Sequence, residues 1–191
     1  MILSERFNEA FLYASQLHAE QTRKGTTIPY IAHLIAVTAI VLENGGNEDE
    51  AIAALLHDSI EDQGGEATRQ EIRRRFGETV VEIVNGCTDA EVIPKPPWRA
   101  RKEAYIAHIR NASPSVRLVS AADKLHNARA ILDDYRVLGE SLWQRFNGGK
   151  EGTLWYYRAM IDAFRSTGTS PLIEELDRVV SELEQLAREN S

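Results

Sequence analysis

The chain has 191 residues, 43% of them hydrophobic, and a formal charge of −7. That is enough apolar chain for one domain with its own core, expected over 1–191. The acidic balance argues against a nucleic-acid track, which needs a basic stripe. The single cysteine, Cys87, excludes an internal disulfide and a cysteine metal knuckle, and suits a reducing cytosol. The N-terminal stretch carries charge early and does not read as a signal peptide. No apolar run approaches bilayer length, so a cytoplasmic chain without membrane contact is expected.

Helical periodicity dominates the chain. Phe7, Ala10, Phe11, Ala14, Leu17 and His18 share one helical face, predicting an amphipathic helix over 4–20. After a turn with Gly25 and Pro29, a second helix is predicted from about Ile31 to Glu43, with Leu34, Val37, Ile40 and Val41 buried, stopping at Gly45-Gly46. Asn47 with Glu50 has the form of a capping box. It opens a central buried helix that includes AIAALLHDSIED and ends at Gly64-Gly65. Thr68 and Glu71 repeat the capping pattern for a short helix closed by Gly77, and Val80, Val81, Ile83 and Val84 belong to the next.

Residues 88–98 hold Pro94, Pro96 and Pro97 and read as a loop able to act as a lid. A helix near 99–111 follows. Ser113-Pro114 then caps a long helix over 114–134. Helices near 140–146, over about 152–166 and from Pro171 to Arg188 complete the chain, with 147–152 (NGGKEG) read as flexible. The last helix has a broad apolar stripe that packs on its own domain or on another subunit. With no strand or repeat in the pattern, the expected fold class is all-α, a single irregular helical bundle.

Three pieces carry chemistry. In the central helix, Asp58, Glu61 and Asp62 stand at i, i+3 and i+4 on one face near the negative end of the helix dipole. Such like charges, each pair costing about 0.2–0.5 kcal/mol, favour a bound cation. Taken alone, the acids read as a solvated helix end, and His57 reads equally as a core histidine or a ligand. His33 opens an apolar helix, where a lone histidine is more often structural. Asp123 interrupts the apolar stretch from Val116 to Ala122, and a buried aspartate needs a partner or a metal. Asn127 follows one turn on. Together His33, His57, Asp58 and Asp123 supply two imidazoles and two carboxylates, a set that balances a divalent ion: Mn2+ or Fe2+, with Zn2+ also compatible.

The ordered pattern H…HD…D on helices resembles the HD-domain superfamily of metal-dependent phosphohydrolases. Further segments narrow the resemblance to the RelA/SpoT hydrolase domain. They are Arg23-Lys24-Gly25 with Pro29-Tyr30 and His33; Ala53 to Asp58 followed by Glu61-Asp62; Phe76-Gly77 with Val84 to Thr88; and Ala122 to Asn127 with Arg129. They run in order from about residue 14 to 130. The synthetase and regulatory domains of the long enzymes have no room here, so the resemblance is to a stand-alone small alarmone hydrolase.

That resemblance implies removal of the 3′-pyrophosphate of guanosine tetra- and pentaphosphate, usually with Mn2+. It makes His33, His57, Asp58 and Asp123 the ligands of one metal, and Glu61 and Asp62 the pair that positions and deprotonates water. Arg23, Lys24, Asn127, Arg129 and Tyr157 become nucleotide contacts. Three departures fall in the implied substrate pocket: a longer loop between Lys24 and His33, Leu34 where a proline is common, and Ala130 where some relatives use threonine. The same site could instead take an adenosine alarmone or the 2′-phosphate of NADPH, or the chain could be a non-catalytic nucleotide-sensing module. His18, His108 and His126 are read as structural or surface groups, with His126 also suited to a place behind the ligands. Trp98, Trp143 and Trp155 are read as packing residues, and Arg99, Arg101 and Lys102 as a solvated helix start or a phosphate clamp.

Overall fold

The computed structural model describes residues 2–89 and 94–190. Among them every regular element is helical, and the only extended pairings are isolated bridges, Thr22 with Pro29 and Ser166 with Gly168. The all-α expectation holds. The chain divides into two compact units, one of residues 1–95 and 112–122, the other of 96–111 and 123–191. Part of the loop read as a lid, residues 90–93, lies outside the described residues.

The first unit is built from α1 (Glu5–Leu17), α2 (Ile31–Glu43), α3 (Glu48–Leu56), α4 (Ser59–Asp62), α5 (Glu66–Phe76), α6 (Glu78–Cys87) and the first two turns of α8 (Pro114–Leu138). Its axis is α3, in which Ala51 through Leu56 are all buried against α1, α2 and α6. Local chemistry starts the helices. Ser4 accepts from the Arg6 N–H, and Asn47 and Glu50 close a reciprocal capping box. Gly86 lets α6 approach α8 closely, since a Cβ there would lie 2.5 Å from Val116 Cγ2.

Three expectations for this unit need correction. The central helix is not continuous: it stops at Leu56, turns through His57-Asp58, and restarts for one turn as α4. Asp58 therefore flanks α4 instead of lying inside a helix, although the Asp62 N–H still donates to its carbonyl at 3.0 Å. Thr68 does not cap a helix. Gly65, at φ 58°, starts α5 three residues earlier, and the Thr68 hydroxyl donates back to the Gln63 carbonyl. On α1, Phe11 faces solvent, and Tyr13 fills the buried face with Ala10 and Ala14.

The second unit holds α7 (Trp98–Asn111), the remainder of α8, a 3-10 helix at Gly139–Arg145, α9 (Gly149–Arg165) and α10 (Pro171–Glu189). Ser113 at 3.3 Å from the Val116 N–H and Ser170 at 3.4 Å from the Ile173 N–H cap α8 and α10, each just before a proline. The α10 stripe, Leu172, Ile173, Leu176, Val179, Val180 and Leu183, is buried. Its helix packs on α9 of its own chain, where Met160, Ile161 and Phe164 are buried. Arg158 reaches Asp177 and Glu184, and Arg165 reaches Glu174 and Asp177, so ion pairs line the same seam.

The segment 147–152 is not a flexible loop. Gly149–Gly152 form the first turn of α9, and the Trp98 indole lies on Gly148 and Gly152. A Cβ on Gly148 would stand 2.6 Å from that ring. The glycines make room for an indole supplied 50 residues upstream.

Candidate metal centre

Two helix boundaries build the centre. His33 is in the first turn of α2, and its ring is almost wholly buried. His57 and Asp58 occupy the break between α3 and α4. One ligand atom from each of His33, His57 and Asp58 lies within 4.8 Å of the others. Asp58 Oδ2 is 3.0 Å from His57 Nε2 and 3.6 Å from His33 Nε2.

The tautomer of His57 decides what this cluster can hold. Its Nδ1 is 2.8 Å from the Ala54 carbonyl oxygen, which can only accept, so Nδ1 carries the proton. In the neutral ring Nε2 is then a bare lone pair, and it faces a carboxylate oxygen at 3.0 Å. Two acceptors at that distance repel unless a metal ion or a further proton lies between them. Two ligands of one ion, each bonded at about 2.0–2.2 Å, stand no more than about 4.4 Å apart, and both separations fall inside that limit. The donor set fits a divalent ion, with the backbone hydrogen bond orienting the imidazole as metal-bound histidines require.

Asp62 lies one turn beyond Asp58. Desolvation of its carboxyl, with like charge from Asp58 and Glu61, raises its pKa above the ordinary value, while a hydrogen bond from Gln21 opposes the rise. Glu61 is held differently. Its carboxylate pairs with Lys95 at 2.6 Å and accepts from the Asp89 N–H at 3.3 Å. Arg23 lies over the Tyr30 ring at 5.9 Å, and Lys24 is exposed.

The remaining expected site residues belong to the second unit. Asp123 is buried there, accepting from Lys124 Nζ and Asn127 Nδ2, both at 2.5 Å. Burial opposes the charge on Lys124, but Asp123 above all, with the phenol groups of Tyr156 and Tyr105, holds its pKa well above the ordinary lysine value. Arg129 is ion-paired with Glu175 on α10 at 3.3 Å. Tyr157 is buried in α9 with its ring against Tyr156. Arg99 lies over Trp155 and pairs with Glu103, and Lys102 lies over Tyr156 at 4.8 Å, so these two cations of the helix start rest on aromatic faces, while Arg101 donates to the Pro96 carbonyl at 3.2 Å.

Around the cluster, three residues carry roles with little sequence signal. Tyr30 donates its hydroxyl to Asp58 Oδ2 at 2.6 Å. His18, expected to be structural, is buried with Nδ1 at 2.6 Å from Gln21 Oε1 and Nε2 at 3.2 Å from the Ser59 hydroxyl. Its burial lowers its pKa. Gln21 reaches Asp62 with its amide nitrogen at 2.8 Å. A cavity of about 470 Å3 opens on Gln21 and Gln63, lined also by Gln16, Leu17, Ala19 and Glu20.

Comparison with known proteins identifies the family. The model of the HD domain family matches residues 10–153. The guanosine-3′,5′-bis(diphosphate) 3′-pyrophosphohydrolase MESH1 of Xenopus tropicalis is 40% identical over 126 residues, which cover 64% of this chain and 68% of the relative. The guanosine-3′,5′-bis(diphosphate) 3′-pyrophosphohydrolase of Aquifex aeolicus is 34% identical over 128 residues, 67% of this chain but 18% of that longer protein. A solved structure of a metazoan SpoT ortholog, described as hydrolysing ppGpp with a role in starvation responses, superposes with a TM-score of 0.80 at 26% identity, covering 96% of this chain and 98% of its own. With the matched span covering most of its length and a His-His-Asp cluster able to hold a divalent metal, this chain belongs to the HD-domain family.

Proposed function

We propose that this protein is a metal-dependent phosphohydrolase that removes the 3′-pyrophosphate of guanosine-3′,5′-bis(diphosphate), releasing GDP and pyrophosphate. The observation that carries the reading is the cluster of His33, His57 and Asp58, with ligand atoms within 4.8 Å of one another and His57 Nε2 at 3.0 Å from Asp58 Oδ2. The choice of substrate rests on the activity named for the relatives. On this reading the chain works as one HD-type domain over 1–191 in the cytoplasm. Among the described residues no helix is long and apolar enough to cross a membrane.

His33, His57 and Asp58 would hold the ion, with Asp123 as the fourth ligand and Mn2+ as the working metal. Bound there, the ion supplies Lewis-acid charge at the scissile phosphate and lowers the pKa of a water. Asp62 takes the proton of the attacking water, for which a raised carboxyl pKa suits it. Glu61, already paired with Lys95, orients that water. Arg23 and Lys24 offset charge on the nucleotide's phosphates, and Asn127, Arg129 and Tyr157 complete the nucleotide contacts.

The test is product analysis on protein stripped with chelator and reloaded with Mn2+, over a panel containing ppGpp, an adenosine alarmone and NADPH. Pyrophosphate and GDP from ppGpp are expected. Turnover of another nucleotide with ppGpp left intact would replace the substrate, and no turnover of any would leave a sensing module.

A further inference from the structure

We propose that Gln21 is a positioning residue for Asp62, its side-chain amide fixing the carboxylate that receives the proton of the attacking water. The proposal rests on the assignment of that proton to Asp62.

Gln21 lies four residues past the end of α1, and its backbone is pinned at both ends. Its N–H donates to the His18 carbonyl at 3.1 Å, and its own carbonyl accepts from the Tyr30 N–H at 2.9 Å. The side chain has one satisfactory orientation. Oε1 lies 2.6 Å from His18 Nδ1 and 2.7 Å from Gln63 Nε2. The amide nitrogen lies 2.8 Å from Asp62 Oδ2. A flipped amide would set oxygen against the Asp62 carboxylate and NH2 against the Gln63 NH2, losing two hydrogen bonds and adding a repulsion.

The group that holds the amide is itself held. With Nδ1–H donating to Gln21, the His18 Nε2 accepts from the hydroxyl of Ser59, the first residue of α4. Asp62 is the last residue of that single-turn helix. His18 and Gln21 thus grip both ends of the turn that carries the proposed catalytic pair. The His18 ring also stacks on Tyr30, centroids 5.3 Å apart, and the Tyr30 hydroxyl fixes Asp58 Oδ2. A helix of four residues has little stability of its own. Outside contacts must fix where its carboxylates sit.

Two near-isosteric variants separate positioning from bulk. Gln21→Glu keeps an acceptor for His18 and Gln63 and removes the donor to Asp62. Gln21→Met removes both. Each is expected to lower kcat for ppGpp with Mn2+ by 10-fold or more, while KM and the Mn2+ concentration for half-maximal activity stay within twofold. A folded variant, judged by circular dichroism, that keeps the wild-type kcat would overturn the proposal, as would a loss expressed only in KM. If Gln21→Met does not fold, Gln21→Glu decides. Failure of both to fold would make the amide a folding group and also overturn it. Wild type and Asp62→Asn run alongside. An inactive wild type or a fully active Asp62→Asn would sink the proton-acceptor reading itself. An active wild type, a crippled Asp62→Asn and an unimpaired Gln21→Glu would sink the positioning role alone.

Discussion

Replacing Asp58 with asparagine should leave the metal-free protein at least as stable as the wild type and remove the stabilisation that metal brings. In the wild type, Asp58 Oδ2 stands 3.0 Å from Nε2 of His57, which in the neutral ring sets an acceptor against an acceptor. An asparagine NH2 in that place would donate one proton to His57 and its second to the oxygen of Tyr30, whose hydroxyl now points at Asp58 from 2.6 Å. The bond to His57 is new and contributes about 0.5–1.5 kcal/mol net, whereas the bond to Tyr30 replaces one the wild type already has. Metal-free Asp58→Asn should therefore be at least as stable as the metal-free wild type, by no more than about 1.5 kcal/mol. Metal acts the opposite way. At a hundred times its Kd an ion stabilises the wild type by about 2.7 kcal/mol. At this chain length that corresponds to a Tm rise of about 5–11 °C. The variant, with one ligand gone, should show little rise. Thermal melts of both proteins in chelator and in Mn2+, with turnover measured in parallel, give the four values needed. Equal Mn2+-induced Tm increments in wild type and variant would refute the assignment of Asp58 as a ligand.

Other outcomes are expected from the same structure. Asp123→Ala leaves Lys124 with a buried charge and no carboxylate, so a loss of about 3–5 kcal/mol in denaturant-induced unfolding is expected; a loss under 1 kcal/mol would show that the lysine is adequately solvated. Gly148→Ala drives a methyl into the Trp98 indole and should cost about 1–3 kcal/mol, read from the same unfolding curves and relieved by Trp98→Leu in the double variant. His18 has a lowered pKa in the fold. Its stabilising share is therefore complete above the unfolded value of about 6.5 and is lost as pH falls through the lowered folded value. Urea midpoints of wild type and His18→Gln, measured from pH 7.5 down to 5 at one metal concentration, should diverge in slope, the wild type falling more steeply; parallel curves would remove His18 as the source.

Much of the helix order was legible because its signals are local. Ser4, the Asn47–Glu50 box, Ser113-Pro114 and Ser170-Pro171 each start a helix with a hydroxyl or amide acting within three residues. The misreadings share a different cause, a partner distant in sequence or a competing local bond. Nothing in AIAALLHDSIED breaks a helix by propensity, so the turn at His57-Asp58 could not be read from the residues around it. The Gly148-Gly149 pair has the composition of a mobile loop, and only the indole of Trp98 shows why glycine is needed. Thr68 had the spacing of a cap, but its hydroxyl found the Gln63 carbonyl first. In the centre, His33, His57 and Asp58 were legible as a set of donors. The contact of Tyr30 with Asp58 and the hold of Gln21 on Asp62 join residues 28 and 41 positions apart, beyond any periodic pattern.

The interruption between α3 and α4 also warns the protein engineer. Stabilisation by consensus helix formers would favour one unbroken rod through 57–58, and on calorimetric grounds such a variant could look like an improvement. The imidazole and carboxylate now offered at the corner would be carried around the cylinder by 100° per residue, dispersing what the kink gathers. Rigidity gained at that point would be bought with silence at the centre, so thermostabilising designs should leave the corner as it is.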